Sequence, residues 1–146
     1  MKLWLALGAL TSIILACGDF AGPKEQRVAL SIVPVFDANG FLVLSNADRL
    51  RIRIQRDSSG VFLTVKDTTV AIDAEGNAAA DIDVLLLQSP QVFRVLLDAV
   101  RSGDGAVLFS GSQDVSVTSG TGGTPQEVQI PVSYAGPQSI ASAPDW

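Results

Sequence analysis

The sequence predicts an all-β protein: an antiparallel sandwich of two sheets, about seven strands in all, behind an N-terminal apolar helix. Three observations carry this. Apolar and polar residues alternate with a period of two, most cleanly in Arg49-Leu50-Arg51-Ile52-Arg53-Ile54-Gln55-Arg56. That pattern puts Leu50, Ile52 and Ile54 on one face of a strand and the arginines on the other. Turn residues recur at near-regular intervals, as in Ser58-Ser59-Gly60 and Ser102-Gly103-Asp104-Gly105, which is the punctuation of hairpins. Beyond the first 16 residues, no window of helical length keeps an i, i+3, i+4 apolar stripe, and β-branched residues dominate.

In chain order, Lys2 is followed by an unbroken apolar and small-residue stretch from Leu3 to Ala16. At about 14 residues it falls short of the ~20 that cross a bilayer as a helix. A basic start and a short apolar core make a secretory leader. An ordinary leader ends at a small-x-small site, which Leu15-Ala16-Cys17 fits poorly. Ile14-Leu15-Ala16-Cys17 instead resembles the lipobox of bacterial lipoproteins: an aliphatic residue, a variable one, Gly or Ala, then Cys.

The resemblance implies a signal peptide over residues 1–16, cleavage between Ala16 and Cys17, and a diacylglycerol on the Cys17 sulfur, often with a further acyl chain on the new amino terminus. Two or more chains hold a protein on a membrane where one does not. The expected location is the cell envelope, and the outer membrane in a host with two, because Gly18 rather than an aspartate follows Cys17. Residues 17–26 then form the lipidated cysteine and its tether, polar and broken by Gly and Pro. Nine residues reach about 30 Å when fully extended, which sets the domain just clear of the headgroups.

The strands follow. Val28, Leu30 and Ile32 alternate until Pro34. Asp37-Ala38-Asn39-Gly40 turns the chain into Phe41-Leu42-Val43-Leu44, and the Arg49–Arg56 strand comes next. Ser58-Ser59-Gly60 leads to Val61–Val65, then Thr68–Ile72. Ala74–Asn77 is a turn before Asp81–Leu86, where Leu85-Leu86-Leu87 leaves a short helix open. Phe93, Val95, Leu97 and Ala99 alternate, and Ser102–Gly105 turns into Ala106–Phe109, then Val115 and Val117. After the Ser119–Thr124 loop, Val128, Ile130 and Val132 complete the set at Tyr134. Residues 135–146 read as a flexible tail.

Leu50–Ile72 and Phe93–Val117 echo each other as strand, turn, strand. The echo fits either two related hairpins, one in each half of a sandwich, or chance likeness among hairpins. In strand count, spacing and the late Val-x-Ile-x-Val-x-Tyr strand, residues 27–134 resemble the immunoglobulin-like and fibronectin type III-like domains of bacterial surface lipoproteins. The Cys-Trp-Cys core of true immunoglobulin domains is absent.

Composition narrows the chemistry. There is one cysteine and no histidine. Histidine-dependent nucleophile systems and His-ligated metal sites are thereby excluded. With Cys17 acylated, thiolate chemistry and disulfides go as well. Removing Lys2 with the leader leaves 9 basic against 15 acidic residues, a net of −6, with no basic cluster for nucleic acid. No cofactor and no metal site is expected. Gly120-Thr121-Gly122-Gly123 lacks the Lys-Ser/Thr and helix of a phosphate loop. Asp73, Glu75 and Asn77 resemble a calcium loop only faintly, since no bidentate Glu follows.

Two groups remain as candidates. Arg49, Arg51 and Arg53 form a stripe that is either a patch for an acidic partner or a solvent face paired with acids, with Asp81 and Asp83 the natural partners where their strand lies alongside. Asp81 and Asp83 share one strand face and supply the alternative reading, a small envelope hydrolase working through surface carboxylates. Phe62, out of step with Val61, Leu63 and Val65, is the aromatic expected to face solvent. The sequence thus favours a non-catalytic, membrane-anchored adaptor, stalk or binding module whose partner is an envelope protein or polysaccharide.

Overall fold

Burying one face of each alternating strand dictates the architecture. The structure, a computed structural model, describes residues 26–36, 46–120 and 123–136. Seven strands are present among them: β1 Gln26–Phe36, β2 Arg49–Ser58, β3 Val61–Ala71, β4 Ala80–Leu86, β5 Gln91–Arg101, β6 Ala106–Val117 and β7 Gln126–Tyr134. The all-β class and the seven strands are as the sequence predicts. Val61–Val65 and Thr68–Ile72 fuse into β3, and the two pieces before and after Ser112 fuse into β6. The stretch that left a helix open is strand on both sides of a four-residue break. The signal helix, Ala16, Cys17, the Phe41–Leu44 strand and residues 137–146 of the tail lie outside the described residues.

The strands form one continuous sheet in the order β3-β2-β5-β6-β7-β1-β4, folded over on itself into a sandwich that nearly closes as a barrel. Two features depart from expectation. β1 and β7 are parallel, with Leu30 opposite Gln126 and Phe36 opposite Val132, while the other pairs are antiparallel. Both strands start at the same end of the domain, so their adjacency must be parallel. The order also differs from the immunoglobulin constant arrangement, in which the first, second, fourth and fifth strands share a sheet. Here β1 lies between β7 and β4, and β2 between β3 and β5.

The two echoing hairpins, β2–β3 and β5–β6, therefore stand side by side in one half rather than one in each. They meet through β2 and β5, and each carries one bulge, near Ile54/Gln55 and near Ala99/Val100. The β2–β3 loop has only two residues, both left-handed: Ser59 at φ 56° and Gly60 at φ 86°. That is the twist a two-residue hairpin needs, and the Asp57 carboxylate accepts the Gly60 N–H at 2.8 Å.

The core lies between the two halves. Leu50, Ile52 and Ile54 of β2 and Phe93, Val95 and Leu97 of β5 are fully buried, facing Leu30 and Ile32 of β1 and Ile130 of β7. Each such side chain contributes roughly 1.5–3 kcal/mol through burial. The halves join at a corner where, among the described residues, the β6–β7 ladder has two residue pairs, Phe109–Tyr134 and Ser110–Ser133. Phe109 anchors it, with Phe36 edge-on at 5.4 Å and Tyr134 at 5.6 Å.

Next to the corner, Gly111 lets the two backbones touch. A Cβ there would overlap the Pro131 carbonyl oxygen and stand 2.9 Å from Val132 Cγ1. Pro34 sits past the end of β4, whose register reaches only Ile32, so that side of β1 has no ladder partner to lose, as strand prolines require.

Gly111→Ala should therefore destabilise the protein by roughly 1–3 kcal/mol, the usual cost of overpacking. Chemical denaturation is the check. Gly103→Ala, at a position with open space around it, should change the midpoint far less.

Candidate functional site

The arginine stripe lies on the outer face of β2, between β3 and β5, and its charges are met diagonally. Arg51 stands opposite Thr69 and Asp98 but grips Asp67 with both donors, Nε to Oδ1 at 3.0 Å and Nη2 to Oδ2 at 2.6 Å. Arg53 stands opposite Asp67 and Leu96 but pairs with Asp98 at 2.8 Å. Diagonal neighbours on a sheet lie within reach of long side chains, so the pairs cross. The Arg51 guanidinium holds the Asp67 carboxyl below the usual carboxylate range. Arg49 is exposed and makes no ion pair among the described residues.

The expected partners are the ones that do not appear. Asp81 and Asp83 are on β4, at the far edge of the sheet, opposite Ser31 and Ala29 of β1. The correction follows from topology: β5, not β4, lies alongside β2. Asp81 and Asp83 are both exposed. The same outer face continues to Arg94, which binds Asp114 through two bonds of 2.7 and 3.0 Å.

Arg94 also lays its guanidinium 3.8 Å above the Phe62 ring, leaving Phe62 half-buried while Val61, Leu63 and Val65 are exposed. The solvent-facing set on β3 is thus the opposite of the expected one. Val61 and Leu63 keep the period-two parity of the inner face, but that face runs past the core's end, beyond Ile54.

The acidic turn closes on itself. Asp73 Oδ1 accepts the N–H groups of Glu75 and Asn77 at 3.1 and 2.7 Å, and Oδ2 accepts Asn77 Nδ2 at 3.3 Å. Its carboxylate oxygens thus serve the loop's own donors. Among the described residues no cluster of three or more His, Cys, Asp or Glu could hold a metal ion.

The concave feature of most interest is the seam where the two free edges, β3 and β4, approach each other. Arg56 bridges it, donating from Nη2 to the Leu85 carbonyl at 3.0 Å. A groove of ≈ 350 Å³ beside it is lined by Arg27, Arg56, Val65, Lys66, Asp83, Val84 and Leu85. Arg56 continues the Leu50-Ile52-Ile54 face, so it is the point at which the buried face of β2 becomes polar. Its Nε is buried with no partner, and its guanidinium carbon stands 6.0 Å from the Phe93 ring centre.

Two residues with structural weight escaped the sequence reading. Arg56 was visible as the last member of the alternation but was grouped with the outward arginines. Asp48 gave only a generic turn signal. It joins three strands: its N–H donates to the Val100 carbonyl, its carbonyl accepts the Ile72 N–H, and its carboxylate accepts the Ser102 N–H at 2.7 Å and the Ser102 hydroxyl. The hydroxyl and then the N–H of Ser102 lower the Asp48 pKa. No protein-family model matches the chain, and no curated protein matches it.

Two outcomes test this electrostatic picture. In a double-mutant cycle, Arg53 and Asp98, whose side chains are 33% and 17% exposed, should couple by about 1 kcal/mol. Arg51 and Asp67, at 47% and 41%, should couple more weakly, as exposed pairs do. Asp104 is the second case. Hydrogen bonding from Arg101, then from the Ala106 N–H, holds it down to about 2, against 3.8 unperturbed. A depressed folded pKa contributes stability above the unfolded value that disappears as pH falls through about 2. Carboxyl NMR titration should show that low value, and Arg101→Gln should return it toward 3.8.

Proposed function

We propose that this chain is a bacterial cell-envelope lipoprotein, lipid-anchored through Cys17, whose β domain acts without catalysis as an adaptor, stalk or binding module. The observation that carries the reading is the sequence Ile14-Leu15-Ala16-Cys17 at the end of a short apolar run behind Lys2. Cleavage between Ala16 and Cys17 and acylation of the cysteine follow from it. In a host with two membranes the outer one is proposed, since the residue after Cys17 is Gly18.

The placement of the carboxylates supports binding over hydrolysis. General acid–base work needs two carboxyl groups in environments that push their pKa values apart. Asp81 and Asp83 are both exposed along one edge strand. The arginine stripe supports a structural more than a recognition role, because Arg51 and Arg53 are already held by Asp67 and Asp98. The partner remains an envelope protein or polysaccharide by this proposal, not a nucleic acid.

Cys17→Ala should abolish fatty-acid labelling, leave the uncleaved chain in place of the processed one, and change its partition between membrane and soluble fractions. Metabolic labelling with mass measurement reads all three. Labelling that persists in Cys17→Ala would end the proposal.

A further inference from the structure

One end of the domain carries apolar surface with no core beneath it, and it is the end at which the chain from Cys17 arrives. β1 starts at Gln26, whose register partner is Leu86, and the next residue, Leu87, is 65% exposed. Across the seam, Leu63 stands opposite Arg56, whose guanidinium reaches the Leu85 carbonyl. Leu63 is 54% exposed, with Val61 at 59% and Val65 at 37% beside it. Val65 lines the groove that holds Arg27, Arg56, Lys66 and Asp83, and Val61 and Leu63 precede it on the same strand. Three cations against one carboxylate is a local excess of positive charge in a chain whose net charge is −5.

We propose that this end is a membrane-docking face: Val61, Leu63, Val65 and Leu87 enter the headgroup region of an anionic bilayer while Arg27 and Lys66 meet its phosphates. The inference rests on the Cys17 anchor and gives the anchored domain an orientation. The span from Cys17 to Gln26 limits the domain to about 30 Å from the lipid, and that distance is an upper bound. Aliphatic side chains with cations at their margin are what an interfacial surface needs, the first for the headgroup boundary and the second for anionic lipid.

A partner strand or a second copy added to the β3 edge is the competing occupant. The edge argues against it, because a bulge, Lys66 and Asp67 interrupt β3 midway, and these are devices that block strand addition. The other edge, β4, is only 7 residues long and carries Asp81 and Asp83.

Cys17 is the sole cysteine, so the chain can also be coupled through it to a maleimide-bearing lipid. This arm is independent of acylation in the cell. Amide hydrogen exchange is then measured on phosphatidylcholine vesicles with and without one-third phosphatidylglycerol, for the coupled chain and for protein purified from envelopes. On anionic vesicles the amides of Val61–Lys66 and Leu87 should exchange at least fivefold more slowly. Those around Val107, at the opposite end, should not change.

Arg27→Glu combined with Lys66→Glu should cancel the slowing, with unchanged exchange at Val107 showing that the variant is folded. Equal exchange with and without anionic lipid overturns the proposal. Slowing that follows protein density instead of lipid charge assigns the face to a second copy and overturns it too. A Cys17 without fatty acid, read by mass in the envelope protein, would defeat the anchoring proposal alone and leave the coupled arm to decide docking.

Discussion

Among the described residues, two ladder pairs between β6 and β7 join the halves of this protein, and the closed sheet depends on the close approach there. A sheet of seven strands twists, and to bury the apolar face of one half against that of the other it must fold along one line. Gly111 supplies the room at that line, since any side chain would meet the Pro131 carbonyl. Phe109, stacked edge-on between Phe36 and Tyr134, supplies the apolar contact that keeps the corner shut. Where β6 and β7 part beyond the corner, Gln126 reaches over to the Ser116 carbonyl at 3.3 Å. Across the opposite seam Arg56 donates to the Leu85 carbonyl. The fold is thus a nearly closed barrel with one tight corner and one loose one.

The parts legible in the sequence are those set by period-two alternation and by local turns. Leu50, Ile52 and Ile54 announce their face because the arginines between them cannot be buried together. Ser59-Gly60 and Gly105 announce hairpins because the turns need left-handed residues. Strand partners were not legible, since alternation says which face is buried but not which strand lies alongside. The pairing of β2 with β5, the parallel β1–β7 contact and the two-pair corner are decisions of the whole chain, made by how the faces fit.

The same distinction explains the site. Arg49, Arg51 and Arg53 share one outward face, and the acids that pair with two of them, Asp67 and Asp98, come from strands whose adjacency no local pattern reveals. Phe62 was placed on the wrong side of exposure for a related reason. A side chain one step out of the apolar alternation is expected in water, unless a long cation lies over it, as Arg94 does. Val61 and Leu63 keep the apolar parity but extend past the last buried residue of β2, so parity alone overstates their burial.

That overhang is what links the two ends of the reading. A hairpin that outruns its core normally finishes in polar residues, because aliphatic side chains left in water gain nothing from the fold. Here the overhanging residues are Val and Leu, they sit where Gln26 brings the chain in from Cys17, and cations line the groove beside them. At the opposite end the turns are closed by carboxylates: Asp48 on Ser102, Asp104 on Arg101 and Asp73 on its own loop. The two poles differ chiefly in this overhang: the most exposed aliphatic residues, Val61, Leu63 and Leu87, are at the first, where Asp57 also closes the hairpin, while Val35 and Val107 are exposed at the other. Under the proposed acylation of Cys17, within about 30 Å of the overhang, the overhang would point to lipid and the opposite turns to the aqueous side.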